Sequence, residues 1–336
     1  MSKTKEAVTR KKPRFSNRQL AGLSIALAST IIVASVVSFS LLQAPNKFSL
    51  NAAIVDQLGS QFPNSNFIQT VSNMLSEAGF NVTYYGSENV TVNFYKELTK
   101  RDYGVVILRS HSALREDDET VDLFTSEEYD KDAYSWEQRN GLLTKGNYSF
   151  APDKFYFAVT PSFIGNLAGR FPRSIIIAMG CWSLKLKGQD LARAFIDKGA
   201  TAYIGWTNIV IPPDTDSETI KLLESMLKEN RTLSSAVSQA RIYTYRSGNL
   251  TVQSQINLYP PSSWTITVNQ LVEEARKSEA PNKSGGLTGS LSIMTNVARF
   301  RIKGFPSAAN RNRPATSCNA SGLLSRAGCV MAHPTS

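Results

Sequence analysis

Ser174-Ile175-Ile176-Ile177-Ala178-Met179-Gly180-Cys181-Trp182-Ser183 is a run of apolar, largely β-branched residues that stops at a Gly-Cys pair. A run this short and this branched reads as a buried strand. About 70 residues earlier, Gly104-Val105-Val106-Ile107-Leu108-Arg109-Ser110-His111 repeats the pattern and ends on a histidine. The chain has two histidines and three cysteines, and His111 and Cys181 are the ones that precede the C-terminal tail.

Alternating elements surround the two runs. Upstream, Asn51–Leu58 reads as a strand and Asn66–Ala78 as an amphipathic helix. Phe67, Val71, Met74, Leu75 and Ala78 recur there at helical spacing before Gly79. A short strand over Asn81–Tyr85 and a helix over Val92–Lys100 lead into the His111 strand. Downstream of Cys181, Asp190–Lys198 reads as a helix closed by Gly199, and Thr201–Val210 as the next strand. Strands alternating with short helices predict a parallel sheet with crossover helices, an α/β fold.

Residues 113–150 interrupt this rhythm with an acidic insertion that carries Glu116, Asp117, Asp118, Glu119, Asp122, Glu127, Glu128, Asp130 and Asp132. It reads as a solvated loop with β-like pieces around Val121–Phe124. The sharper alternative is that its carboxylates hold Ca²⁺ or attract basic substrate residues, although the spacing matches no EF-hand loop. Phe155–Val159 reads as a strand and Pro161–Gly169 as a Pro-started helix. Further on, Thr219–Tyr245 reads as a long helical region broken near Asn230, with edge strands over Leu258–Val268 and Leu291–Ile302.

The ends of the chain differ from its middle. The net charge is +10, but seven basic residues against Glu6 within positions 1–18 contribute +6, and six unopposed basic residues from Arg299 onward contribute another +6. The middle is therefore near −2, which argues against a phosphate-tracking face and against nucleic acid as a partner. Residues 1–19 read as a basic cytoplasmic segment and 20–42 as a transmembrane anchor, because Leu20–Leu42 is uncharged and long enough to cross a bilayer. A cleaved signal peptide is the rival reading, disfavoured because its apolar core is shorter. Positive charge on the N-terminal flank puts everything after residue 45 outside the cytoplasm. Seven Asn-x-Ser/Thr sequons, at Asn81, Asn89, Asn147, Asn230, Asn249, Asn282 and Asn319, agree with an extracytoplasmic glycoprotein. A folded domain is expected over 48–303 and a disordered basic tail over 304–336, where Cys318 and Cys329 could pair and leave Cys181 as a free thiol.

A cysteine nucleophile works as its thiolate, and a neighbouring imidazole takes the thiol proton and later protonates the leaving amine. In an open parallel sheet, functional groups gather beyond the carboxyl ends of the strands. His111 and Cys181 each fall at such an end. This order, His before Cys with both following strands, resembles the caspase-like cysteine peptidases: caspases, gingipains, clostripain and legumains. The stretch Asp190-Leu-Ala-Arg-Ala-Phe-Ile-Asp-Lys-Gly-Ala-Thr-Ala-Tyr-Ile-Gly-Trp206 is similar to the gingipain and CHAT-type continuation after the cysteine. The likeness spans roughly residues 50–245. Caspases separate the two residues by about 50 positions, and the acidic insertion accounts for the longer gap here.

The resemblance implies a three-layer α/β sandwich and hydrolysis of peptide bonds. Cys181 would be the nucleophile and His111 the acid/base, with the backbone amides of Ser112 and Cys181 as oxyanion donors. Trp182 would lie near the substrate; Trp206 reads as a core residue first, although in those relatives the end of its strand lines the S1 region. Ser112 departs from the family, which has Gly there. A side chain would be strained if that position needs a positive φ. Two further readings follow from the same likeness: an inactive caspase-like surface module that binds peptides or proteins, and a peptidyl transferase using the same dyad. With two histidines and three cysteines the chain is too poor in ligands for a zinc site.

Overall fold

The computed structural model describes residues 47–115, 118–148, 151–247, 250–279 and 331–333. The expected basic segment 1–19, the span 20–42, the strand at 291–302 and most of the tail lie outside the described residues. Among the described residues, no helix is long and apolar enough to cross a membrane.

In chain order, β1 (Asn51–Asp56), α1 (Ser65–Glu77), β2 (Asn81–Tyr85), α2 (Val92–Lys96) and β3 (Tyr103–Arg109) come first. Then follow β4 (Ser112–Arg115), β5 (Val121–Glu128), α3 (Ser135–Arg139), β6 (Leu143–Tyr148) and β7 (Ala151–Val159). The chain continues through α4 (Pro161–Gly165), β8 (Ile175–Ala178), α5 (Asp190–Asp197), β9 (Ala202–Trp206), α6 (Pro212–Leu223) and α7 (Leu233–Ser238). Last come β10 (Tyr243–Ser247), β11 (Leu250–Ser254), β12 (Ile256–Tyr259), α8 (Val268–Glu279) and β13 (Met331–His333).

The central sheet runs β2-β1-β3-β8-β9-β12, with every pairing parallel except that of the edge strand β12. β3 and β8 are direct neighbours, in a register that sets Val105 against Ile175 and Leu108 against Ala178. Side chains alternate between the two faces, so each face has its own core. Ile54, Ile107, Ile177 and Ile204 pack with Phe67 and Val71 of α1, Leu222 of α6 and Leu271 of α8. Val55, Val106, Ile176 and Tyr203 pack on the other side with Tyr95 of α2, Ile164 of α4 and Phe195 of α5. The result is a mostly parallel sheet flanked by helices. Burial on both faces is why these strands read as continuous apolar runs.

Local chemistry sets the element ends. The Asn64 side chain accepts from the Phe67 N–H at 3.0 Å to start α1, and Gly79 at φ +98° ends it. Thr91, Thr160 and Thr232 cap α2, α4 and α7 in the same way.

Four expectations need correction. The acidic insertion is folded: β4, β5, β7 and β6 pair in that order, closed by β13, around Phe124, Tyr148 and Ala158. β5 is buried from Val121 to Thr125: Val121 and Leu123 join the core on the α2, α4 and α5 side of the sheet, Phe124 fills the barrel, and Asp122 is buried with them. The helix expected over 92–100 stops at Lys96 and continues as a 3-10 turn over Leu98–Lys100. The long helical region is α6, a π-helical turn over Glu224–Lys228, and α7. Asn230 at φ 52° breaks it, and Tyr243–Ser247 is a strand paired with β11 instead. Finally, the edge strand expected over 258–268 lies earlier, at β12, and α8 begins at Val268.

Candidate active site

Two strand tips meet beyond β3 and β8. Arg109 closes β3 opposite Asp56 at the end of β1, a pairing fixed by the strand register. Arg109 is 1 % exposed. Its Nη1 donates to Asp56 Oδ1 at 2.6 Å, and Nε and Nη2 donate to the two carboxylate oxygens of Asp216 at 2.8 Å each. Nη2 also reaches the Phe62 carbonyl at 2.8 Å. Tyr84 donates to Asp56 at 3.1 Å and Asn64 to Asp216 at 2.9 Å. Burial pushes the Asp56 carboxyl up, and the Arg109 guanidinium offsets part of that. One arginine thus ties β1, β3 and the start of α6 together beneath the tips. A buried ion network of this kind holds only while each charge keeps its partners.

The second tip is bound to the first by backbone contact. A Cβ at Gly180 would sit 2.6 Å from the Ser110 carbonyl oxygen and 2.8 Å from the Ser112 nitrogen, so only glycine fits before Cys181. The Ser112 hydroxyl donates to the Cys181 carbonyl at 2.6 Å, and the Met179 N–H donates to the Leu108 carbonyl at 2.9 Å. Thr215 of α6 donates to the Met179 carbonyl at 3.2 Å. Past the cysteine the chain turns sharply. Trp182 takes the left-handed conformation at φ 54°, a costly state for a bulky residue, and its N–H donates to Asn208 at 3.0 Å. Ser183 locks the turn, donating to the Ala178 carbonyl and accepting from the Trp206 N–H.

Between the tips lies a cleft of about 10 Å³, with His111 and Cys181 in its lining and Leu58, Met179, Val210 and Pro212 as walls. That is room for about one water. The Cys181 thiol sits 3.5 Å from both the N–H and the carbonyl oxygen of Val210. His111 and Cys181 are each 4 % exposed.

The imidazole is held on every side. Its Nε2 lies 3.0 Å from Gln61 Oε1, and its backbone N–H donates to Gln57 Oε1 at 3.0 Å. The Tyr148 ring lies over it at 4.7 Å between centroids, with Phe62 and Phe124 edge-on. Burial, and secondarily the Arg109 charge, lowers the His111 pKa to about 3. The ring is therefore neutral around pH 7 and, in the closed cleft, a weak base.

The remaining sequence-named residues fall as follows. Ser112 starts β4 and is buried. It is not among the residues at positive φ, so the side chain there carries no left-handed strain. Trp182 is half-buried beside the thiol. Trp206 is 1 % exposed and packs edge-on against Tyr243, so it is a core side chain rather than a wall of the cleft. Sequence reading missed Gln57, Gln61, Asp56, Asp216 and Tyr148. The one available signal was a pair of glutamines four positions apart directly after β1.

Among the described residues, no group of three His, Cys, Asp or Glu side chains converges as a metal site. Several carboxylates of the insertion serve the chain itself. Asp122 pairs with Arg115, Glu137 with Lys96, Glu128 with Lys154, and Glu127 accepts from the Val92 N–H. Compared with known proteins, the chain matches no family model and no curated sequence.

Proposed function

We propose that this chain is a membrane-anchored, extracytoplasmic cysteine endopeptidase of caspase-like fold. The carrying observation is that His111 and Cys181, from the ends of the neighbouring parallel strands β3 and β8, line one cleft. Neighbouring strand ends in the order His, then Cys, are the arrangement the resemblance requires. The anchor and the outward orientation rest on residues 1–42 of the sequence.

In the proposed reaction the thiol proton passes to the neutral His111 ring as sulfur attacks the scissile carbonyl carbon. Backbone amides at Ser112 and Cys181 receive the developing oxyanion. A histidine this reluctant to stay protonated is a strong general acid, and it returns the proton to the departing amine. The resulting thioester is then hydrolysed by water, with His111 again as the base.

Cys181→Ala in the full chain is the test. It should lose all hydrolysis of a peptide library and all labelling by thiol-directed affinity probes. Hydrolysis that survives this substitution refutes the assignment.

A second reading, a non-catalytic caspase-like module that binds a partner, is favoured by one observation: both residues are nearly closed off and the cleft holds about one water. Alkylation of Cys181 at pH 7 separates the two. A rate no faster than that of free cysteine points to the binding module.

A further inference from the structure

The ring of His111 is gripped by a relay of two glutamines and a tyrosine that no feature of the dyad itself calls for. The relay begins at a group whose role is not in doubt. A backbone N–H can only donate, so the Gln57 oxygen must face the His111 amide at 3.0 Å. Its amide nitrogen is thereby turned to the Tyr148 hydroxyl, which it reaches at 2.8 Å. The same hydroxyl is hydrogen-bonded by Gln61. Gln61 presents its oxygen to His111 Nε2 at 3.0 Å. An amide oxygen can only accept, so Nε2 must carry the proton. In a neutral imidazole the other nitrogen, Nδ1, then holds the lone pair. Tyr148 also covers one face of the ring, and Phe62 and Phe124 close its edges, so the ring cannot turn over without displacing aromatic side chains.

We infer that Gln57, Tyr148 and Gln61 are positioning residues that fix His111 as the Nε2–H tautomer, leaving Nδ1 as the atom that exchanges a proton with the Cys181 thiol. Its catalytic meaning rests on the peptidase reading; the tautomer itself does not. The relay also connects the two halves of the molecule. Gln57 and Gln61 follow β1 of the parallel sheet, whereas Tyr148 ends β6 of the insertion. The insertion is thus part of what orients the base.

The test reads the tautomer directly, by ¹⁵N NMR of the full chain labelled at histidine, with His333→Gln leaving a single ring to observe. The expected result is an Nε2 resonance of the protonated type and an Nδ1 resonance of the unprotonated type at pH 7. Gln61→Leu, at a half-buried position that tolerates change, should give a mixture of tautomers or the Nδ1–H form. Its Cys181 alkylation and kcat should fall at least about tenfold, with KM within about twofold. Gln61→Glu keeps an acceptor at the same place and should restore the Nε2–H form. An Nδ1–H ring in the unsubstituted chain, or a tautomer unchanged by Gln61→Leu, overturns the inference. An Nε2–H ring in a chain that hydrolyses no peptide would support the relay and refute the peptidase reading instead.

Discussion

Arg109 and Arg115 bracket His111, and each pairs with two aspartates, yet they do different work. Arg109 reaches partners 53 and 107 residues away, all buried, and joins two strands of the central sheet to α6. Arg115 reaches partners three and seven residues away. One of them, Asp118, is 47 % exposed, and the pairing stays within the insertion. Distant partners make the first network a tertiary clamp; close ones make the second a local brace. The arginines differ in exposure, 1 % for Arg109 and 15 % for Arg115, although Asp122 is itself buried. Around Arg109 an unpaired charge has no route to water. At Arg115 the carboxyl facing it, Asp122, is held up at about 6 by burial and takes a proton easily.

Arg109→Met should separate the two most sharply. It strands two buried carboxylates, and loss of one partner from such a network costs about 3–5 kcal/mol. Denaturant midpoints would measure it. A loss under about 1 kcal/mol would show that the clamp adds little.

The two regions should also respond to pH with opposite sign. His111 titrates near 3 when folded and near the ordinary 6.5 when unfolded, so between these values the unfolded chain binds the extra proton. Its contribution is intact above about 6.5 and drains away as pH falls, by a few kcal/mol at most. Asp122 is raised, so the folded chain binds the extra proton between about 4 and 6, and its contribution shrinks as pH rises through that window. Stability measured against pH for His111→Gln and Asp122→Asn, each compared with the unsubstituted chain, should show these opposed slopes. Slopes of the same sign would mean that one of the two environments is misread.

Two glycines sharpen the contrast further. Gly180→Ala drives a methyl into the backbone of Ser110 and Ser112, which cannot yield without parting the strand tips. Gly146→Ala in the insertion meets the ring of Phe124, which can tilt. Overpacking costs about 1–3 kcal/mol. The Gly180 variant should sit at the upper end and lose thiol reactivity; the Gly146 variant should keep it.

Arg115→Met should have the smallest effect, about 1 kcal/mol at pH 7, because Asp122 escapes by protonation. The effect should shrink further at pH 5, where that carboxyl is already mostly neutral. A constant cost across this range would contradict the brace.

The sequence was most informative where burial is two-sided. β3 and β8 carry near-continuous apolar, largely β-branched runs, because both faces of the sheet are covered there, and their order along the chain set His111 and Cys181 at strand ends. It was least informative in the insertion. There the acidic residues dominate the reading, although β5 is buried from Val121 to Thr125 with Asp122 among them. α6 was started late because its Pro212-Pro213 opening and buried Asp216 and Glu218 look solvent-facing until their partners are known.

What the sequence alone determined is the alternation of strands and helices and the placing of His111 and Cys181 at strand ends, since both follow from periodicity and residue chemistry near each position. Tertiary structure decided the rest. β3 and β8 became neighbours, Gly180 let their tips touch, Trp182 was forced into a left-handed turn, Gln57, Gln61 and Tyr148 came to surround His111, and Asp56 and Asp216 came to clamp Arg109, from positions about 40 to 110 residues away. Polar side chains leave no periodic mark of the partner they will meet. The environment that sets a histidine's affinity for protons is written in contacts that exist only after the chain has closed on itself.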